Sequence, residues 1–339
     1  MTIRQIQFVA PCDAQLVSID LPAPLPGEVT VRLAVSTISS GTERANLIGD
    51  PNISYASPGS VKFPRILGYS SAGVITALGE GVTGFCIGDR VGLSWSKHSE
   101  YQNISVENVF KIDDIPFEEA ALWHITTFPM GAIRKCGLEI GESAIVMGLG
   151  ILGLFAVRLL RAAGAAPVIA VDPIPERRAQ ALQAGADFAL NPFEPDFAAQ
   201  VKNLTNGGAN VAIEVTGNGA ALDSVLDCMA HFGRVALLGC TRNSDFTIDY
   251  YRKVHGPGIT LVGAHTHARP KVESHPGWWT TSDDIQTVKR LYQLGRLEFA
   301  SLIEETHTPE EAHDVFARLA VENAFPLVQF DWRKIACAK

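Results

Sequence analysis

The chain has 339 residues, which at ~150 residues per domain predicts two domains. Its 28 Lys and Arg against 36 Asp and Glu give a net charge of −8, which repels nucleic-acid phosphates and anionic membrane surfaces. A hydrophobic fraction of 47% with 19% charged residues describes a folded protein with large cores, not a disordered or membrane-embedded one.

The chain opens without the basic stretch and apolar run of a secretory signal, and its longest apolar run, 144–157, holds three glycines and is too short to span a bilayer. Short β-rich runs follow at Val29–Val35, Gly73–Leu78 and Arg90–Leu93, separated by turns such as Pro22-Ala23-Pro24-Leu25-Pro26-Gly27. The pattern changes near residue 125. From there apolar strands (Ala144–Met147, Pro167–Val171, Phe188–Leu190, Val211–Val215, Arg234–Leu238, Ile259–Val262) alternate with helices such as Ile151–Ala163 and Glu176–Ala184, each ended by a glycine. Six strands alternating with helices predict a doubly wound parallel sheet, an α/β Rossmann unit. After Gly263 the pattern breaks, and a helix begins near Ser282-Asp283-Asp284. Cys12, Cys86, Cys136, Cys228, Cys240 and Cys337 form no C-x-x-C pair or cluster, which fits a reducing, cytoplasmic setting and supplies no thiolate zinc loop.

The strongest chemical signal is Gly148-Leu149-Gly150-Ile151-Leu152-Gly153, which follows an apolar strand and opens a helix. In that context Gly148 makes the tight turn, Gly150 admits a pyrophosphate to the backbone at the positive helix end, and Gly153 lets helix pack on strand. Asp172 ends the next strand 19 residues after Gly153 (172 − 153), near the ~20 at which a carboxylate meets the adenosine ribose. Its charge accepts a free 2′-hydroxyl and repels a 2′-phosphate, so NAD(H) is expected over NADP(H). Arg177 and Arg178 are the counter-argument, since an arginine there could receive a phosphate, although solvated helix positions explain them as well.

None of the six tyrosines has a lysine four residues later, which excludes the Tyr-x-x-x-Lys pair of short-chain dehydrogenases. The motif order instead resembles the medium-chain dehydrogenase/reductase family. Pro26-Gly27-Glu28-Val29, Gly73-Val74-Ile75, Gly79-Glu80-Gly81-Val82, Gly88-Asp89-Arg90-Val91, Glu119-Ala120-Ala121-Leu122, Val215-Thr216-Gly217-Asn218 and the tail 306–312 are all similar to its motifs, in the same order along nearly the whole chain. The resemblance implies a GroES-like β-rich catalytic domain at 1–124 and 265–339 around a Rossmann coenzyme domain at 125–264. It further implies cofactor contacts at Ile151, Leu152, Arg177, Thr216, Gly217, Leu238, Gly239, Gly263 and Ala264.

The departures from the family are chemical. Where its zinc alcohol dehydrogenases carry a cysteine ligand, Ser39-Ser40-Gly41-Thr42-Glu43-Arg44 offers Ser40, and where they read Gly-His-Glu this chain reads Gly68-Tyr69-Ser70. Hydroxyls are poor ligands for zinc, so no bound zinc and no other metal is expected. This stretch looks most like the zinc-poor branch that includes bacteriochlorophyllide dehydrogenase relatives.

Without a metal, substrate oxygen must be polarised by hydrogen-bond donors and the proton moved by a general acid-base group. Tyr69, at the vacated histidine position, and Thr42, which resembles the family's relay hydroxyl, are donor candidates; a pocket-filling aromatic and a turn hydroxyl are their structural alternatives. His124, close to where a third ligand falls, is the preferred acid-base group, with a core histidine as the alternative. His265 is the second, since the resemblance puts it beside the nicotinamide. Glu43 and Glu119 read as structural, the first pairing locally and the second at a helix start. The long segment 265–279 carries Trp278 and Trp279, read either as a platform for the substrate, with Ser40, or as part of a dimer contact.

These features predict a zinc-independent NAD(H) oxidoreductase interconverting a secondary alcohol and a ketone on a small, polyhydroxylated or ring-containing substrate. The alternatives are an enoyl or quinone-type reductase using NAD(P)H and a non-catalytic cofactor-binding protein. A homodimer is expected, because the edge of the sheet near Ile259–Val262 needs covering.

Overall fold

A computed structural model describes residues 1–54, 59 and 61–336. Cys337 therefore lies outside the described residues. The chain divides into two compact units, Met1–Ile125 with Glu298–Lys339, and Thr126–Leu297.

The first unit is β-rich. Its spine is the strand Glu28–Thr37, where Val29, Val31, Leu33 and Val35 are all buried. It pairs antiparallel with Ser70–Leu78, with Tyr101–Ser105 and with Val328–Asp331 from the chain's tail. That last pairing makes the unit discontinuous in sequence, and Trp332, Phe330 and Phe316 from the tail complete its core. A hairpin of Thr2–Ala10 with Asp13–Asp20, which no sequence pattern marks, also belongs here. Its residues alternate polar and apolar only in part, because Ile6 and Phe8 pack into the core, Ile3 is buried on the opposite face, and the Asp13–Asp20 strand stays half exposed.

The second unit carries a six-stranded sheet with every strand parallel, in the order Phe188–Leu190, Val168–Val171, Ala144–Met147, Ala209–Glu214, Met229–Leu237, Thr260–Gly263. All residues of Ala144–Met147 and Val168–Val171 are buried, as central strands covered on both faces require. Chain order reverses between Ala144–Met147 and Ala209–Glu214, and the crevice at the carboxyl ends of such strands is where a doubly wound sheet receives its ligand. The helix Ile151–Ala163 ends as expected on a left-handed Gly164 at φ +90°.

One expected boundary moves. Residues 265–297, expected with the first unit, belong to the second. The segment after the last strand is tied down there by polar bonds: Arg269 donates to the Thr127 carbonyl at 2.9 Å and pairs with Asp284 at 2.9 Å, while Arg134 meets Asp284 at 3.2 Å. The helix Thr281–Gln293, capped by the Thr280 hydroxyl, then buries Ile285 and Val288. Gly131 leaves room for the Arg269 guanidinium, since a Cβ there would stand 2.5 Å from its Nη2. Among the described residues no helix is long and apolar enough to cross a membrane.

Candidate functional site

The glycine turn of the second unit has the shape its sequence demands. Gly148 adopts φ +96°, a conformation costly for any side chain, so that the chain can reverse after the strand Ala144–Met147. A Cβ on Gly153 would lie 2.0 Å from the Gly148 carbonyl oxygen, so helix and turn touch backbone to backbone. Gly150, the N-cap of Ile151–Ala163, has nothing within 4 Å of where its Cβ would stand. This open cradle lies against the first amides of the helix, at Ile151 and Leu152, which an α-helix leaves without carbonyl partners. It fits a pyrophosphate.

Asp172 ends the strand Val168–Val171 and is 3% exposed. Its carboxylate accepts the Leu149 N–H at 2.9 Å and the Ile174 N–H at 2.9 Å, so it fastens the glycine turn to its own loop. Arg177 Nη1 stands 3.8 Å from Asp172 Oδ2, closer than a purely solvated helix position. Arg178 instead donates to the Asp172 and Pro173 carbonyls at 2.7 and 2.9 Å, which holds the loop.

The other expected cofactor positions gather at the carboxyl ends of the strands. Glu214 accepts from the Thr216 hydroxyl and from the backbone N–H groups of Thr216 and Gly217, and its carbonyl accepts from Leu238 and Gly239. Burial pushes the Glu214 carboxyl up, against the opposing pull of these donors. The Thr216 hydroxyl also accepts the Asn218 N–H. The Ala264 N–H donates to the Leu237 carbonyl and Lys135 Nζ to the Gly263 carbonyl.

His265 follows directly. Burial, then the neighbouring His267 and Lys135, hold it below the usual histidine range, and its Nδ1 accepts the His267 N–H at 3.2 Å. The neutral ring therefore carries its proton on Nε2 and is a donor. Trp278 and Trp279 lie in the same unit, with Lys135 Nζ 4.8 Å from the Trp278 centroid and the Arg134 guanidinium 3.9 Å from that of Trp279. One face of each ring is thus occupied by a cation of this chain.

In the first unit, the structure brings Tyr69 and His124 together. Their rings meet edge to face at 5.7 Å between centroids, and Trp95 completes the cluster at 4.7 Å from His124 and 6.2 Å from Tyr69. His124 is buried and Tyr69 half-buried. Trp95 was not anticipated. It is 41% exposed and sits at φ +56°, a strained conformation for a bulky residue, on the turn after the strand Arg90–Ser94. No motif marks it in the sequence.

Ser40 opens the helix Ser40–Leu47, and Thr42 is exposed in its first turn. Ser70 Oγ donates to the Ala121 carbonyl at 2.6 Å, as Thr37 Oγ1 does at 3.0 Å, so the hydroxyl at the third motif position is spent on the backbone just before His124. Ser40, Tyr69 and Ser70 are a set of hydroxyls that does not fit a zinc ion. Among the described residues no three His, Cys, Asp or Glu side chains converge as a metal site.

Two expected structural roles reach further than local contacts. Glu43 accepts the Ser39 N–H locally at 2.9 Å and also pairs with His98, 55 residues away, at 2.9 Å, both side chains being wholly enclosed by the β-rich core. Glu119, in the helix Phe117–Ala120, accepts the Phe299 and Ala300 N–H groups and so binds the returning tail.

A β-rich unit interrupted by a doubly wound sheet whose glycine turn suits a dinucleotide defines a two-unit nicotinamide-dependent oxidoreductase. Family models describe residues 25–114 as an alcohol dehydrogenase GroES-like domain and 152–274 as a zinc-binding dehydrogenase. The chain is 30% identical over 324 residues to L-threonine 3-dehydrogenase of Pyrococcus furiosus, covering 86% of this chain and 87% of that one. It is 29% identical over 297 residues to D-guloside 3-dehydrogenase of Escherichia coli K12, covering 81% and 84%. An Escherichia coli CFT073 alcohol dehydrogenase (rspB) complexed with NADH superposes with a TM-score of 0.81 at 18% identity, over 97% of this chain and 99% of that one. The chain belongs to the medium-chain, zinc-type alcohol dehydrogenase-like family of NAD(P)-dependent dehydrogenases.

Proposed function

We propose that this protein interconverts a secondary alcohol and a ketone with NAD(H), without a catalytic zinc, on a small polyhydroxylated or ring-containing substrate. The observation that carries the reading is the replacement of the family's ligand positions by Ser40, Tyr69 and Ser70, with Tyr69 packed against a buried imidazole, His124. The relatives named for threonine and guloside oxidation at carbon 3 support a secondary alcohol.

NAD(H), when bound, accepts or supplies the hydride. The amides of Ile151 and Leu152 at the helix start hold the pyrophosphate, with Gly150 giving it access. Asp172 accepts the ribose hydroxyls, and the backbone of Gly217, Leu238, Gly239, Gly263 and Ala264 borders the nicotinamide. The phenol of Tyr69 and the hydroxyl of Thr42 donate to the substrate oxygen, which lowers the energy of the alkoxide-like transition state. His124 takes the alcohol proton in oxidation and returns it in reduction, a role that contributes ~10²–10⁴-fold. His265 donates from Nε2 at the nicotinamide end of the coenzyme unit. Trp95, exposed and strained, lines the substrate, joined by Ser40.

We further propose a homodimer that covers the edge strand Thr260–Gly263, half exposed along its length, and a reducing, cytoplasmic setting consistent with the unpaired thiols of Cys12, Cys86, Cys136, Cys228 and Cys240.

The test follows nicotinamide absorbance across a panel of secondary alcohols, ketones and enones, and repeats the best substrate with His124→Ala, His265→Ala and Tyr69→Phe. A loss of ~10²-fold or more is expected for His124→Ala. Wild-type kcat/KM in all three variants overturns the assignment of roles, and turnover confined to enones replaces the alcohol reading with that of an enoyl reductase.

A further inference from the structure

Beneath the hydroxyl candidates of the first unit runs a buried polar chain that the proposed chemistry does not use. Trp332 Nε1–H donates to Ser36 Oγ at 2.8 Å, Ser36 Oγ meets His98 Nδ1 at 2.7 Å, and His98 Nε2 meets Glu43 Oε2 at 2.9 Å. Trp332, Ser36, His98 and Glu43 are each at most 1% exposed. A carboxylate only accepts, so Nε2 carries the imidazole proton and donates to Glu43; Nδ1 of the neutral ring then accepts from the Ser36 hydroxyl. Every hydrogen bond in the chain points the same way and ends on Glu43. The serine is no nucleophile, being enclosed and already bonded on both sides.

Both ends of the His98–Glu43 pair touch segments that bear candidate donors. Glu43 Oε1 accepts the Ser39 N–H at 2.9 Å, which fixes the first turn of Ser40–Leu47, and Thr42 is its immediate neighbour. The His98 N–H donates to the Leu67 carbonyl at 3.0 Å. At Gly68, φ +101°, a Cβ would stand 2.7 Å from His98 N and 3.0 Å from its ring, so the backbone leading into Tyr69 lies directly on His98. One buried pair is therefore in contact with the turn that carries Thr42 and with the turn that carries Tyr69.

We infer that Glu43 and His98 are positioning residues that hold the Thr42 and Tyr69 hydroxyls in register, so that both can meet one substrate oxygen. The inference rests on the alcohol-dehydrogenase reading for its catalytic consequence, but its geometric content stands apart from it. The chemistry requires such a tie where no metal gathers the two turns: a loose donor loses its effect through misplacement well under the length of a side chain.

The experiment compares Glu43→Gln and His98→Gln with Ser36→Ala, which removes the hydrogen bond to His98 Nδ1 and leaves the His98–Glu43 hydrogen bond in place. Melting curves establish that each variant folds. With the best alcohol of the panel, kcat is expected to fall roughly tenfold to a hundredfold in the first two and less in Ser36→Ala, while KM for NAD⁺ stays within about twofold. An ultraviolet titration of Tyr69, taken as the difference between each variant and the same variant carrying Tyr69→Phe, is expected to shift its midpoint in Glu43→Gln and His98→Gln. Folded variants with wild-type kcat and an unshifted Tyr69 titration overturn the inference, as does a loss confined to KM for NAD⁺. If the wild-type protein oxidises no alcohol in the panel, the functional reading fails, and the Tyr69 titration then decides the positioning claim by itself. Should Glu43→Gln and His98→Gln not fold, Glu43→Asp decides in their place, since its shorter side chain cannot hold the Ser39 N–H and His98 together: a kcat loss with an unchanged KM for NAD⁺ supports the inference, and wild-type kcat with an unshifted Tyr69 titration overturns it.

Discussion

Replacing Gly153 by alanine separates two functions that the glycine turn performs at once. The new Cβ would lie 2.0 Å from the Gly148 carbonyl oxygen, a backbone atom that cannot swing away. Ordinary contact needs more than 3 Å, so helix and turn must part by about 1 Å, and overpacking of this kind costs up to about 3 kcal/mol. Alanine recovers about 1 kcal/mol of helix propensity over glycine, which leaves about 2 kcal/mol net. For a unit of this size that corresponds to a fall in Tm of roughly 4–8 °C. Because the helix start and the turn together make the phosphate cradle, NADH affinity falls with it.

Gly150→Ala is the control. Its Cβ meets nothing within 4 Å and its φ of −70° is ordinary, so Tm stays near wild type while NADH binding weakens, the methyl group occupying the space kept for pyrophosphate. Thermal denaturation and fluorescence titration with NADH read both variants. A Gly153→Ala protein with wild-type Tm refutes the close-packing account, and a Gly150→Ala protein that binds NADH as tightly as wild type refutes the phosphate account.

Asp172→Ser removes the charge beside the expected ribose site and leaves Arg177 nearby, so the ratio of kcat/KM for NADPH over NADH is expected to rise by about tenfold or more; an unchanged ratio sinks the argument for NAD(H). Elemental analysis of protein purified without added metal is expected to show zinc well below one per chain, with activity indifferent to a chelator; stoichiometric zinc, or loss of turnover on chelation, contradicts the zinc-independent reading. His307 supplies a pH dependence. Burial pushes its value down, but hydrogen bonds to Glu305 and Glu311 outweigh this and raise it. A raised folded value means stability that is complete below the unfolded value of ~6.5 and is lost as pH rises through the folded one. Tm measured across this range should show wild type ahead of His307→Gln in mild acid and the two converging in alkali; a constant difference rules out the linkage. At the other extreme, the Arg318 guanidinium holds Glu305 down to about 2, so its contribution persists until strong acid and does not confuse the test.

The coenzyme unit was the legible half. Strands such as Ala144–Met147 and helix Ile151–Ala163 are written as local patterns, because a buried parallel strand needs an unbroken apolar run and a helix end needs its glycine. The glycine turn and Asp172 were legible for the same reason, their function lying in backbone geometry fixed by spacing. The membership of segment 265–297 in the second unit is not legible in the sequence, because its anchors, Arg269 to Thr127 and Asp284, join residues that no local pattern connects.

Sequence alone therefore determined the family, the parallel sheet, the dinucleotide turn and the substitution of hydroxyls for metal ligands, all of which are properties of residue type and spacing. Only the tertiary structure decided which side chains meet: Trp95 strained against His124, Ser70 spent on Ala121, and Glu43 joined to His98 across 55 residues. The hydroxyl and carboxylate groups that decide these contacts have several partners open to them in an extended chain. Burial away from water removes the choice, because in the core each polar group must be matched by whichever donor or acceptor the packing places within reach.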